Sequence, residues 1–266
     1  MLTAERADRP GLSIHDMSIR FGGLLAVDSL SLDAPLGRIT GLIGPNGAGK
    51  TTSFNACSGL NKPTRGRVSL FGKDVTTLPP HTRAQRGLGR TFQRMELFDS
   101  LTVRENVDLG CESGMAGSKP WRFVRASRSE RAKARAATDQ ALEMCEVTAL
   151  AGRRPADLST GQRRLVELAR VVAGGFDMLL LDEPSSGLDR SETVRFGEIL
   201  TALVNQGKGI LLVEHDMELV MSCCHYLYVL DFGKLIFTGT PAEVVGSDIV
   251  RAAYLGSEAV EDSVSA

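Results

Sequence analysis

From Leu12 to about Ile39 apolar and polar residues alternate, interrupted once by Gly22-Gly23. A period of two puts successive side chains on opposite faces of a strand, so this stretch predicts short antiparallel strands turning at the glycine pair. Arg38 to Ile43 predicts a buried strand running into a glycine-rich turn, and Gly49 to about Leu60 predicts a helix. Further strands are expected at Arg67–Phe71, Leu88–Phe92, Met178–Leu181 and Gly209–Val213. Strands interleaved with helices predict an α/β core built on a mainly parallel sheet. From about Thr102 to Leu168 the pattern is helical instead. Tyr226–Leu230 and Leu235–Phe237 then flank a predicted hairpin turn at Asp231-Phe232-Gly233. Thr240-Pro241-Ala242-Glu243 supplies a cap, a first-turn proline and a capping-box glutamate, so a final helix should start there.

Composition changes this picture little. A chain of 266 residues, 42% hydrophobic and 24% charged, suits one large domain or two small ones with a sizeable core. The formal net charge of -1 gives no reason to expect a nucleic-acid partner. The longest apolar stretches, such as Val171 to Phe176, fall far short of the ~20 residues that span a bilayer. The first ten residues lack a secretory apolar core, and a cytosolic compartment is expected. Five cysteines without C-x-x-C spacing read as small core residues in a reducing compartment. Lys119 to Arg135 carries seven basic residues against one acidic. It reads as a solvated helical face, with contact to lipid headgroups or a membrane partner as the functional alternative. Residues 1–10 and 257–266 read as tails.

The chemistry lies in two strings. Gly44-Pro45-Asn46-Gly47-Ala48-Gly49-Lys50-Thr51 fits G-x-x-x-x-G-K-T, placed between a predicted strand and a predicted helix as that motif requires. Its glycines let backbone N–H groups wrap phosphate oxygens, and the helix N-terminus adds a favourable dipole. Lys50 brings a point charge to the phosphates, the Thr51 hydroxyl is a ligand for Mg²⁺, and Thr52 joins the nucleotide-binding set. The apolar run Met178-Leu179-Leu180-Leu181 ends in Asp182-Glu183. A buried strand would aim Asp182 at the metal, while Glu183, one residue later, can face the attacking water as general base.

Leu158-Ser159-Thr160-Gly161-Gln162 decides among the nucleotide hydrolases. It resembles the signature of ABC ATPases, with Thr160 where glycine is commoner, and the resemblance covers nearly the whole chain. It implies a RecA-like parallel core with an antiparallel β-subdomain at 11–92 and 169–242. An inserted helical subdomain at 93–168 would carry the signature, and a C-terminal helix would run from 243 to 256. It implies that Gln93 contacts magnesium and senses a membrane subunit, and that Asp189 lies in the loop crossing a dimer interface. His215 matches the switch histidine at the γ-phosphate, and Phe21 the aromatic that stacks on adenine. Ser159, Gly161 and Gln162 would open a helix whose N-terminus binds ATP held by the opposite subunit. ATP and Mg²⁺ are the implied cofactors. The implied partners are transmembrane permease subunits, a second ATP-binding subunit and, indirectly, an extracytoplasmic solute-binding protein, with the chain at the cytoplasmic face of the membrane.

A narrower likeness runs through Phe21–Val27, Arg90–Gln93 with Leu101–Val107, and Ala253–Gly256. These stretches resemble the ATP-binding subunits of branched-chain amino-acid importers, and importers of urea or short amides share much of the pattern. ABC ATPases of chromosome maintenance carry long coiled coils between the two phosphate motifs, for which this chain has no room. Translation factors of the type carry two cassettes per chain, and a non-hydrolysing module would lack Glu183 or His215. The Asp231-Phe232-Gly233 string also occurs in kinases, but no H-R-D loop accompanies it and it reads as coincidence.

Overall fold

The alternation after Leu12 folds as a hairpin of β1 (Leu12–Phe21) and β2 (Leu24–Ala34), registered from Leu12 opposite Ala34 to Phe21 opposite Leu24. The alternation is not strict. Pairing slips between Ile14 and Met17, where Asp16 takes a positive φ of 47°, and this bulge returns Met17 and Ile19 to the face already occupied by Leu12 and Ile14. β4 (Arg65–Leu70) pairs with the other edge of β1, and β5 (Lys73–Asp74) follows, giving an antiparallel sheet of order β2-β1-β4-β5. The computed structural model describes residues 9–91, 97–116 and 128–254.

The second sheet has six strands in the order β10-β9-β3-β8-β7-β6. β3 (Ile39–Ile43), β6 (Leu88–Arg90), β7 (Met178–Asp182), β8 (Gly209–Val213) and β9 (Tyr226–Asp231) run parallel, and β10 (Lys234–Gly239) closes the edge antiparallel to β9. Every residue of β3, β7 and β8 is buried, as expected where both faces are covered. Leu42, Leu180, Leu211 and Val213 point to one side, with Phe54 of α1 (Lys50–Ser58) and the antiparallel sheet. Ile39, Leu179, Leu181, Ile210 and Leu212 point to the other, with residues of the later helices.

Those helices are α3 (Val103–Ala116), α4 (Arg128–Met144), α5 (Thr160–Ala173), α6 (Arg190–Asn205) and α7 (Met217–Cys223), while α2 (Pro80–Gln85) precedes β6. α3, α4 and α5 pack on one another. A methyl on Gly110 of α3 would lie 1.9 Å from the Arg170 carbonyl oxygen, so only glycine allows α3 this close to α5. α5 runs from the signature through position 168 without a break. The basic stretch falls partly outside the described residues; within α4, Arg131, Lys133 and Arg135 are exposed. Among the described residues no helix is long and apolar enough to cross a membrane, and all five cysteines are buried thiols outside any disulfide.

Three expectations need correction. The strand expected at Leu88–Phe92 ends at Arg90, with Phe92 outside the described residues, and the strand expected from Arg67 begins at Arg65. The terminal helix comes in two pieces: α8 (Pro241–Gly246), opened by the anticipated Thr240 capping box, and a helical segment at 248–254. Ser247 divides them. Its N–H closes α8 on the Val244 carbonyl, and its hydroxyl then accepts from Val250 N at 3.4 Å to open the next helix.

Candidate nucleotide-binding and hydrolysis site

The loops after β3, β7 and β8 leave the carboxyl edge of three adjacent parallel strands. Leu42 lies opposite Val213, and Val213 opposite Asp182. Open α/β sheets bind their ligands at such an edge. The loop from Gly44 to Gly49 wraps into α1, whose N-cap Gly49 has a φ of 98°. Gly47 also has a positive φ, and a Cβ on Gly44 would fall 2.1 Å from the Leu230 carbonyl oxygen. Backbone so arranged presents its N–H groups where side chains would stand in the way.

Phe21, Asn46, Gly47, Ala48, Gly49, Lys50, Thr51, Thr52 and Glu183 line a common cavity of about 650 Å³. Phe21 stands half exposed at its lip, at the end of β1. The Lys50 ammonium folds back on its own loop, donating to the carbonyls of Gly44 at 2.6 Å and Pro45 at 2.9 Å. Burial lowers its pKa, and the carboxylates of Glu183 and Asp182 oppose that shift.

Asp182 is 2% exposed at the tip of β7. Burial raises its pKa to about 6; Glu183 and Glu214 add to the rise, while Arg90 and Lys50 oppose it. The Arg90 guanidinium lies 3.8 Å from the Asp182 carboxylate and 4.7 Å from the centre of the Phe54 ring. Glu183 adopts a left-handed backbone, φ 46°, and its N–H donates to the Val213 carbonyl at 2.8 Å. A non-glycine residue held there is strained, and Glu183 so held lines the Lys50 cavity. His215 Nδ1 is 3.8 Å from Glu183 Oε1, with the imidazole largely exposed.

Among the described residues no three His, Cys, Asp or Glu side chains form a metal cage. Mg²⁺ needs none, since it takes a carboxylate, a hydroxyl, water and phosphate oxygens. The buried Asp182 carboxylate and the exposed Thr51 hydroxyl at the first turn of α1 are hard oxygen donors of this kind, so the donor chemistry suits the ion.

The remaining expected residues are elsewhere. Ser159 is exposed at the N-cap of α5, in a reciprocal capping box with Gln162, and Gly161 is buried behind them against Glu192. Asp189 caps α6 by accepting from Glu192 N. None of these four lines the Lys50 cavity. Gln93 lies outside the described residues.

The structure also brings in residues that sequence reasoning left aside. Leu24, Leu25, Ala26, Phe232 and Gly233 complete the cavity wall. The turn at Phe232-Gly233 is a clamp as well as a hairpin end: Gly233 N donates to Ala48 O at 3.0 Å, and Gly233 O accepts from Asp28 N at 2.8 Å. Glu214 is wholly buried between the loops of Glu183 and His215. The only prior signal was an acidic residue directly following a run of apolar strand residues.

A family model described as ABC transporter matches residues 27–186, more than half of the chain. The chain belongs to the ABC transporter family. A second model, the branched-chain amino acid ATP-binding cassette transporter, matches residues 234–260 of this ABC protein. The high-affinity branched-chain amino acid transport ATP-binding protein LivG of Salmonella typhimurium is 37% identical over 257 residues, covering 93% of this chain and 98% of LivG. The lipopolysaccharide export system ATP-binding protein LptB of Haemophilus influenzae is 34% identical over 247 residues, with the same shares covered. Among solved structures, the ADP conformation of MJ1267, an ATP-binding cassette of an ABC transporter, superposes with a TM-score of 0.80 at 28% identity, covering 93% of this chain and 99% of that one. The ABC cassette fold and the ATPase class are thereby shown.

Proposed function

We propose that this ABC ATPase powers an importer of branched-chain or related amino acids, working on separate permease subunits at the cytoplasmic face of the membrane. One observation carries the hydrolytic part of this reading. The loop of Lys50, the carboxylates of Asp182 and Glu183, and His215 meet at one edge of the sheet beside a cavity large enough for a nucleotide.

In this reading Lys50 leaves the carbonyls of Gly44 and Pro45 for the phosphates, and the base of ATP lies on Phe21. Thr51 and Asp182 hold Mg²⁺, with Gln93 as its further contact; the ion supplies charge neutralisation at the phosphate oxygens. Glu183 accepts a proton from water as the water oxygen attacks the γ-phosphorus. The bond to the β-bridging oxygen breaks, leaving ADP and phosphate. His215 donates to the γ-phosphate oxygens. Ser159, Gly161, Gln162 and Asp189, standing outside the cavity of their own chain, serve the nucleotide of a second ATP-binding subunit.

A second cleft, of about 300 Å³, supports the permease contact. Leu60, His81, Ala84, Leu88, Gly110 and Phe176 line it, where the helices at 93–168 meet the RecA-like core. Its walls, largely apolar with Arg90 and Arg170 among them, suit a short cytoplasmic helix of a permease. The cargo rests on the C-terminal match at 234–260 and on the likeness to LivG. The likeness to LptB supports a second reading, the same motor in an export system, and urea or short-amide uptake is a third.

The test is uptake of labelled leucine, isoleucine and valine by a strain lacking this chain, complemented with wild type, Lys50→Ala or Glu183→Gln. Wild type should restore uptake and neither variant should. Purified Glu183→Gln should bind ATP but hydrolyse it roughly 10²–10⁴-fold more slowly, the usual size of a lost general base. Unchanged uptake in the deletion strain would discard the cargo, and full hydrolysis by Glu183→Gln would discard the assigned base.

A further inference from the structure

Glu214 has a fully buried carboxylate that meets two loops at once. Oε1 accepts from Ser185 N at 2.8 Å, two residues beyond Glu183. Oε2 accepts from His215 N at 3.1 Å and from Asp216 N at 3.3 Å. The side chain is 0% exposed. A carboxylate carried into a protein interior is costly unless donors surround it, and here the donors are backbone N–H groups of the two segments that bear Glu183 and His215. One backbone bond also crosses between the two segments, Glu183 N donating to Val213 O on the neighbouring strand, and Asp216 caps the helix after His215. Glu214 adds a side-chain link between the segments beyond the last ladder pair, Asp182 with Val213, through three backbone N–H groups.

We propose that Glu214 is a positioning residue that locks the Glu183 loop and the His215 loop into one register, so that the base and the γ-phosphate contact move as a unit. The proposal rests on the roles given to Glu183 and His215 above. Glu214 is buried and does not line the Lys50 cavity. It sets the 3.8 Å spacing of Glu183 and His215 from behind, and it passes a displacement of His215 to Ser185 and on to the Ser186-Gly187-Leu188-Asp189 turn. Both oxygens are needed as acceptors. Glu214→Gln keeps the size but turns one acceptor into an NH₂ donor, which must face an N–H on one side or the other. One loop is thereby released while the core stays filled.

The experiment uses the purified full chain. Glu214→Gln should lower kcat about 10- to 100-fold, leaving KM and the affinity for a fluorescent ATP analogue within about twofold of wild type, the split expected when an interaction matters only in the transition state. In a His215→Ala background the same substitution should add less than about threefold, because both act through one loop register. Amide hydrogen exchange on the wild type supplies a readout that needs no variant: segments 183–186 and 214–216 should gain protection together when a non-hydrolysable ATP analogue binds. Wild-type kcat in Glu214→Gln, an equal loss of nucleotide affinity and kcat, or separate exchange responses of the two segments would each overturn the proposal. If wild type fails to hydrolyse ATP, the functional reading falls. If wild type is active, Glu183→Gln is inactive and Glu214→Gln is normal, this inference falls alone.

Discussion

At the scale of single residues, Asp182, proposed above as a ligand of Mg²⁺, is by itself a cost to the fold. Its pKa is raised from 3.8 to about 6, chiefly by burial, so in the absence of metal the folded chain holds a proton on it more readily than the unfolded chain does. Between about pH 4 and 6 the native state binds more protons at this site than the unfolded state, and the stability it contributes falls as pH rises through that window. Above about 6 the full cost of a buried charge is present. Asp182→Asn removes that cost, because the bond from the residue 182 N–H to Thr91 Oγ1 belongs to the backbone and survives. In metal-free buffer the variant should match wild type near pH 4 and exceed it at pH 7 by of order 1–3 kcal/mol, following the size of the shift. Urea unfolding at both pH values measures this. An equal difference at the two pH values would remove the burial argument. Mn²⁺ binding in the presence of nucleotide should be lost in the same variant.

At the scale of elements, the helix that follows the Lys50 loop is anchored at its far end by Arg83. Arg83 is 1% exposed and has no carboxylate partner at bonding distance among the described contacts. Its guanidinium donates to the carbonyls of Ala56 at 2.6 Å and Cys57 at 2.7 Å, at the C-terminus of α1, and to those of Leu78 and Thr76 at 3.0 Å. Carbonyls at a helix C-terminus attract a cation, and four carbonyls lose a donor together if it is removed, Ala56 O keeping its bond from Gly59 N. Arg83→Met should therefore cost about 2–4 kcal/mol in denaturant unfolding, with ATP affinity retained in the folded fraction. A change below about 0.5 kcal/mol would show that water replaces the guanidinium without loss. Nothing near Arg83 in the sequence announces this role. The strands at Ile39–Ile43, Met178–Asp182 and Gly209–Val213 were legible because continuous apolar runs bounded by turns have few other solutions. The start of α5 was expected from the resemblance of Leu158–Gln162 to the ABC signature, and the structure adds the Ser159–Gln162 capping box that fixes it. Contacts between residues distant in sequence were not: Glu214 with Ser185, Gly233 with Ala48, Arg83 with Ala56. The break at Ser247 was missed for another reason, since one hydroxyl can end a helix and begin the next without glycine or proline.

At the scale of the whole molecule, the residues expected to act on nucleotide fall on two separate surfaces. Phe21, residues 46–52 and Glu183 surround one cavity, which Gly44 and Pro45 do not line, whereas Ser159 and Asp189 are exposed at the N-termini of α5 and α6, outside that cavity. Ser159 has its capping contact with Gln162 and stands exposed, with Thr160, at the start of a 14-residue helix. That end of the helix attracts anions. Two copies, or this chain and a related one, placed head to tail would bring each α5 N-terminus over the other's phosphate loop, and a two-fold arrangement of this kind closes on itself. The expected outcome is complementation. Ser159→Arg puts a charged, bulky side chain at the interface, and Lys50→Ala empties the phosphate contact, so each variant alone should be inactive in a homodimer. A mixture forms heterodimers in which one composite site has both a wild-type Lys50 and a wild-type Ser159. If the chain pairs with itself, mixing should raise ATPase activity above that of either variant alone, and gel filtration with ATP should show the mixed dimer. If one intact site cannot turn over without the other, the mixed dimer should still form with ATP and persist. Absence of any ATP-dependent pairing by this chain, alone or with a second ATP-binding subunit from the same cell, would mean that Ser159 serves no nucleotide in trans.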